Sequence, residues 1–230
     1  MMEVLESSVF FGVTITLITY AIGVLIKKKL KIAIFNPLLI SIALIIIFLA
    51  FTGIDYQSYS EGADFISYLL TPATVCLAVP MYEQMDSLKK NGLAIMTGIL
   101  SGTITSMLCV LACTAIFKLN HETYVTLLPK SITTAIGIGV SEEMGGVITI
   151  TIVAIIVTGI FGNMFAELIC KLFKIQHPIA KGVAIGTSSH AMGTSKAMEL
   201  GEVEGAISSL SLAVAGILTV ILAPLFASIL

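Results

Sequence analysis

Lys130 follows Pro129 directly inside an apolar run, and Ser131, Thr133 and Thr134 come next. A cation among hydroxyls at a helix interruption is suited to hold a small carboxylate. A half-helix starting there adds free N–H groups and the positive end of its dipole. The stretch from Gly186 to Lys196 repeats the chemistry with Thr187, Ser188, Ser189, His190, Thr194 and Ser195. An imidazole with an ordinary pKa of about 6.5 makes His190 a proton carrier for coupled transport. Thr71 and Thr74 flank Pro72 in a third interruption, where Pro72 and Pro80 each remove a backbone donor and free carbonyls for a cation or a hydroxyl. Glu83 and Glu142 border these interruptions as candidates for proton or ion coupling. Plainer roles stay open: a snorkelling Lys130, a His190 that only bridges helices, a serine run at a tight helix crossing, and solvated helix ends at Glu83, Glu142 and Glu143.

What must position these groups is a membrane bundle. Of the 230 residues 57% are hydrophobic and 11% charged, and the mean hydropathy is +1.06, against about 25% charged for soluble domains. The expected class is all-α: a polytopic transmembrane helical bundle of about seven or eight membrane segments in one integral membrane domain, 1–230. A net charge of −2 argues against a nucleic-acid partner, and the absence of alternating strands argues against a barrel. All twelve basic residues are lysine, so bidentate guanidinium clamping of an anion is unavailable to this chain. The four cysteines lie in apolar segments without metal-site spacing, so no metal and no cofactor are expected. The residues before the first apolar run carry Glu3 and Glu6 and no lysine, the wrong polarity for a signal peptide, so that run is expected to stay in the membrane.

Uninterrupted apolar helices are expected at 8–26, 37–51, 92–117, 147–173 and 205–230. Three interrupted segments, broken or re-entrant, lie near 71–83, 129–146 and 186–200. Lysines at 27–31, at 89 and 90, and at 171, 174 and 181 mark cytoplasmic loops; the lysine-free connectors 53–64 and 199–205 are placed outside. These placements require one segment to enter and leave on the same side, and 124–146 is the choice, with eight full spans as the alternative. Thr71, Pro129 and Thr187 recur at 58-residue intervals, and halves 1–116 and 117–230 superimpose segment on segment with opposite lysine bias. That pattern points to an inverted repeat, as in secondary transporters.

Three stretches carry a resemblance: TPATVCLAVPMYEQ at 71–84, LLPKSITTAIG with SEEMGG within 127–146, and GTSSHAMGTSKAMELGEVEGAISSL at 186–210. In combination they resemble the LrgB/CidB family. The resemblance implies an antiholin-like regulator of murein hydrolase activity and autolysis, related to pyruvate carriers and to the plastid glycolate/glycerate translocator. It also implies a small LrgA/CidA-type membrane partner. Two departures are Ala135, where the family more often has Pro, and Lys196, where it often has Arg; the latter keeps the charge and loses a bidentate contact.

The expected function is membrane transport of a small monocarboxylate of the pyruvate, glycolate or glycerate type, with proton coupling, in a multi-pass protein of the bacterial cytoplasmic membrane. The alternative is an antiholin-like regulator of autolysis without a substrate of its own. Partners are then the carboxylate, the LrgA/CidA-type protein and the lipid bilayer, with a homo-oligomer left open. No enzyme is expected: there is no GxSxG elbow, no HExxH and no carboxylate beside the histidine.

Overall fold

Strong apolarity fixes where helices form, and local chemistry fixes where they stop. The computed structural model describes residues 10–30 and 35–230. Glu3, Glu6 and Lys31 lie outside them, as does the side chain of Thr74. The described residues form helices and no strand. Five helical stretches are long and apolar enough to cross a membrane: Phe11–Leu30, Tyr56–Glu83, Gly92–Phe117, Ile148–Leu172 and Glu202–Ala227. The chain is a multi-pass helical membrane protein, and it divides into two compact units, Met1–Cys76 and Leu77–Leu230.

In the first unit α1 (Phe11–Leu30) packs against α2 (Pro37–Thr52) and α3 (Tyr56–Ser67), and α4 (Leu70–Cys76) follows. Asn36 caps α2 by accepting from the Leu38 amide at 2.8 Å, with Pro37 pre-set in the first turn. Gly53, at φ 70°, ends α2 in the left-handed conformation open to glycine. The connector expected at 53–64 is therefore only three residues long, because Asp55 caps α3 through the Gln57 amide. Hydroxyl pairs hold the helices together: Thr19 with Ser41 at 2.8 Å and Thr16 with Tyr59 at 3.0 Å.

The second unit contains α5 (Ala78–Glu83), α6 (Met85–Lys90), α7 (Gly92–Phe117), α8 (His121–Leu127), α9 (Thr134–Glu143), α10 (Ile148–Leu172), α11 (Pro178–Leu200) and α12 (Glu202–Ala227). Helices α7 and α12 run in the same direction. Ile95 and Ile99 pack with Ile207 near their starts, and Met107 and Val110 with Ala223 near their ends. Helix α10 runs the opposite way, from Thr151 beside Thr126 to Glu167 beside Lys196.

Two hairpins fill the space between these three long helices. The first descends through α8, turns at 128–133, and returns through α9. Its two arms and α10 are tied by buried hydroxyls: Ser141 to Thr151 at 2.7 Å, and Thr151 to the Thr126 carbonyl at 2.9 Å. The segment 124–146 thus re-enters.

The second hairpin is α11 itself. Its helical course breaks at Ser189 (φ −136°, ψ 15°) and His190 (φ 42°, ψ −143°). The first arm runs parallel to α7: a Cβ on Gly98 would meet Val183 at 3.1 Å, and one on Gly102 would meet Thr187 at 2.8 Å. The second arm turns back along α10, with Asn163 donating to the Met192 carbonyl at 2.9 Å and Lys196 lying 3.6 Å from Glu167. Within the hairpin, a Cβ on Gly193 would lie 3.0 Å from Ile185.

This reversal corrects the placement of 199–205 outside. Lys181 lies 3.5 Å from Glu204, so the connector sits at the same end as Lys171, Lys174 and Lys181. It is also shorter than expected, since only Gly201 separates α11 from α12. The 58-residue interval carries Ser131 in the first turn onto Ser189 in the second. The α7–first-hairpin pair and the α10–second-hairpin pair therefore run in opposite senses, whereas α7 and α12, 116 residues apart, run in the same sense.

Candidate functional site

The hairpins approach each other from opposite ends of the second unit, and a small hydroxyl-lined cavity lies where they meet. Thr103 and Ser106 come from α7, Ser131 from the first turn, Thr187 from the first arm of α11, and Thr219 from α12. Its volume is about 10 Å³, room for roughly one water molecule. Thr103 and Thr187 each donate to a carbonyl four residues earlier, at 2.9 and 2.7 Å, so they turn oxygen lone pairs outward.

Lys130 does not line the cavity; it reaches it through a relay. Its ammonium donates to Ser131 Oγ at 3.1 Å, and Ser131 Oγ lies 2.9 Å from Ser106 Oγ. An ammonium can only donate, so Ser131 keeps its own O–H for Ser106, and Ser106 can turn its hydrogen to a further acceptor. Lys130 is half-buried and Ser131 buried. Thr133 and Thr134 are half-buried at the start of α9, where Thr133 takes the extended cap conformation (φ −64°, ψ 146°) without a side-chain cap bond. The first-turn amides of α9 thereby face the turn.

The second hairpin's polar residues divide between several roles. His190 is buried, and its Nε2–H donates to the Ile155 carbonyl of α10 at 2.9 Å. That bond fixes the ring against Gly159, where a Cβ would lie 2.5 Å from the imidazole. A positive φ in a non-glycine residue costs on the order of 1–3 kcal/mol, and this seat on α10 holds it. Ser189 packs on Gly162 and pairs with the exposed Ser188 at 2.9 Å. Thr194 donates to the His190 carbonyl at 3.0 Å and lies 2.8 Å from Ser208 of α12. Ser195 is exposed and bonds its own helix at Ala191.

Of the remaining sequence candidates, Thr71 is exposed on α4 in the first unit, and Glu83 and Glu142 are exposed. Ser131 and Thr187 share the cavity, with Lys130 one hydrogen bond away; His190 faces α10 instead. Lys196 bonds Glu199 at 3.1 Å and Glu167 at 3.6 Å, closing the second arm onto α10. Sequence reasoning missed Thr103, Ser106 and Thr219. The available signal was the i, i+3 spacing of Thr103 and Ser106, which puts two hydroxyls on one face of an otherwise apolar helix.

A groove of about 550 Å³ runs from Asn91 and His177, at the lysine-bearing end, up between α7 and the first arm of α11 to Thr187. Thr187 lines both groove and cavity, so its side chain is the partition between them. Among the described residues no group of three or more His, Cys, Asp or Glu could hold a metal ion.

No solved structure is significantly similar to the chain. Antiholin-like protein LrgB from Bacillus cereus (strain B4264) is 38% identical over 218 residues, covering 94% of this chain and 95% of that protein. The protein of the same name from Bacillus anthracis (strain CDC 684 / NRRL 3495) matches to the same extent. The model of the LrgB-like family matches residues 16–229. With nearly its whole length aligned to that model and to these relatives, the chain belongs to the LrgB-like family.

Proposed function

We propose that this chain is an antiholin-like protein of the bacterial cytoplasmic membrane. In this reading it restrains murein hydrolase activity and autolysis together with a small LrgA/CidA-type partner. The likeness over 94% of the chain to proteins named antiholin-like carries the reading. The test is complementation: a bacterium deleted for its LrgB-type gene should regain resistance to detergent-triggered lysis when this chain is expressed. Unchanged lysis, with and without a co-expressed LrgA-type partner, overturns it.

The hairpin geometry supports a second reading, membrane transport; a small monocarboxylate with proton coupling is the form of it the sequence suggests. Re-entrant hairpins from opposite ends, meeting at a polar cavity with a lysine relay, supply the parts of a carrier whose access alternates around a fixed site. Lys130, Ser131, Ser106 and the α9 amides would hold the carboxylate once the hairpins part, since the closed cavity has room for about one water molecule. The carboxylate itself is inferred from the family resemblance. In liposomes, the purified chain with its partner should take up labelled pyruvate or glycolate faster under an inward proton gradient; no uptake of either overturns this reading. In both readings the chain makes and breaks no covalent bonds.

A further inference from the structure

A second polar site lies away from the cavity, at the end of α10. There the chain leaves the helix through Lys174, which takes the left-handed conformation (φ 55°), and its amide and that of Ile175 close back onto the Lys171 and Cys170 carbonyls. This turn and the two ends of α11 enclose a pocket of about 310 Å³. Lys171, Lys174 and Lys181 line it, with Ile175, Leu200 and Cys170 as apolar wall.

Its charge balance favours an anion. Glu167 also lines the pocket, but it is bonded to Lys171 at 2.8 Å and lies 3.6 Å from Lys196. Lys181 is paired with Glu204 at 3.5 Å, and Lys174 is exposed with no carboxylate in ion-pair distance among the described residues. The site therefore carries an uncommitted positive charge beside two partly committed ones. In the same last turns, α10 presents exposed Leu168 and Leu172. Lysines at the end of an exposed apolar helix face lie where head groups meet acyl chains.

We propose that this pocket binds the phosphate head group of an anionic phospholipid, with one acyl chain along the Leu168–Leu172 face of α10. The apolar wall, and the exposed leucines next in sequence to Glu167 and Lys171 of the lining, select a lipid over a free anion, which would need only the lysines.

The test uses the full-length chain in detergent, equilibrated with equal parts of phosphatidylglycerol and phosphatidylcholine and read by native mass spectrometry. The chain should retain phosphatidylglycerol in preference. K171Q/K174Q should lower that retention about fivefold for each lysine removed, while K89Q/K90Q, with the same charge change elsewhere at that end, should leave it unchanged. K174Q alone serves if the double variant does not insert, since it leaves no buried charge behind. Equal retention of both lipids, an equal loss in K89Q/K90Q, or full displacement by inorganic phosphate each overturns the proposal.

Discussion

Ser131 and Thr187 line one cavity although each belongs to a hairpin that enters from the opposite end of the second unit. Neither residue is near the other in sequence, and neither sits in an uninterrupted helix. Their meeting makes the two breaks parts of one site, with Ser106 of α7 bonded to one side of it and Thr219 of α12 lining another.

The relay from Lys130 gives a functional prediction. Removing a hydrogen bond to a charged group costs about 1.5–3 kcal/mol, so K130M should lower carboxylate uptake roughly tenfold to a hundredfold at unchanged membrane insertion. Measured beside it, the lysis phenotype separates the two proposed readings: normal lysis resistance in K130M would assign regulation to a surface that does not depend on the relay.

Packing at the second hairpin can be tested by stability. A Cβ on Gly162 would collide with the Ser189 side chain, whereas one on Gly139 meets nothing within 4 Å. G162A should lower thermal stability by about 1–3 kcal/mol and G139A should change it little; equal effects would contradict the seating of the α11 tip on α10.

The Lys181–Glu204 pair makes a third case. Glu204 is 7% exposed, so K181M leaves a nearly buried carboxylate without its partner. That single change should cost about 3–5 kcal/mol, and K181M/E204Q should recover most of it in a double-mutant cycle. Additive losses would mean the two groups act independently.

Sidedness is the most direct check on the hairpins. In a background lacking native cysteines, cysteines at Gln176 and Glu202 should react with an impermeant thiol reagent from the same side of the membrane, and one at Asn120 from the other. Labelling of positions 176 and 202 from opposite sides would make α11 a single span.

Much of the fold was legible because apolarity is a local property. The span expected at 92–117 is α7 to the residue, and Pro129 marked the first turn. The break in α11 was legible too, inside the interrupted segment expected near 186–200, but the sequence put the same-side return at 124–146 alone, because the turn at Ser189 and His190 contains neither proline nor glycine. Charge bias then misled: a lysine-free connector was placed opposite the lysines, when its Glu204 is the partner of Lys181. The site was half legible for a related reason. Ser131 and Thr187 announced themselves by lying in breaks. Thr103 lies in an unbroken helix and satisfies its own hydroxyl on Ile99, so nothing in its neighbourhood interrupts the pattern.

Gly201 alone joins α11 to α12, in extended conformation (φ 169°, ψ 163°): its amide closes α11 on the Ala197 carbonyl and its carbonyl opens α12 by accepting from Gly205. The first hairpin hangs instead from the loops 118–120 and 144–147. The two hairpins are therefore mechanically unequal. A displacement of the second arm of α11 passes to α12 through a single residue, while the first hairpin joins its neighbours through loops of three and four residues and is held to α10 by buried hydroxyls. If the cavity opens alternately to the two ends, the second arm of α11 moves only with a long helix attached, and the first hairpin moves only by parting from α10 at Ser141 and Thr151.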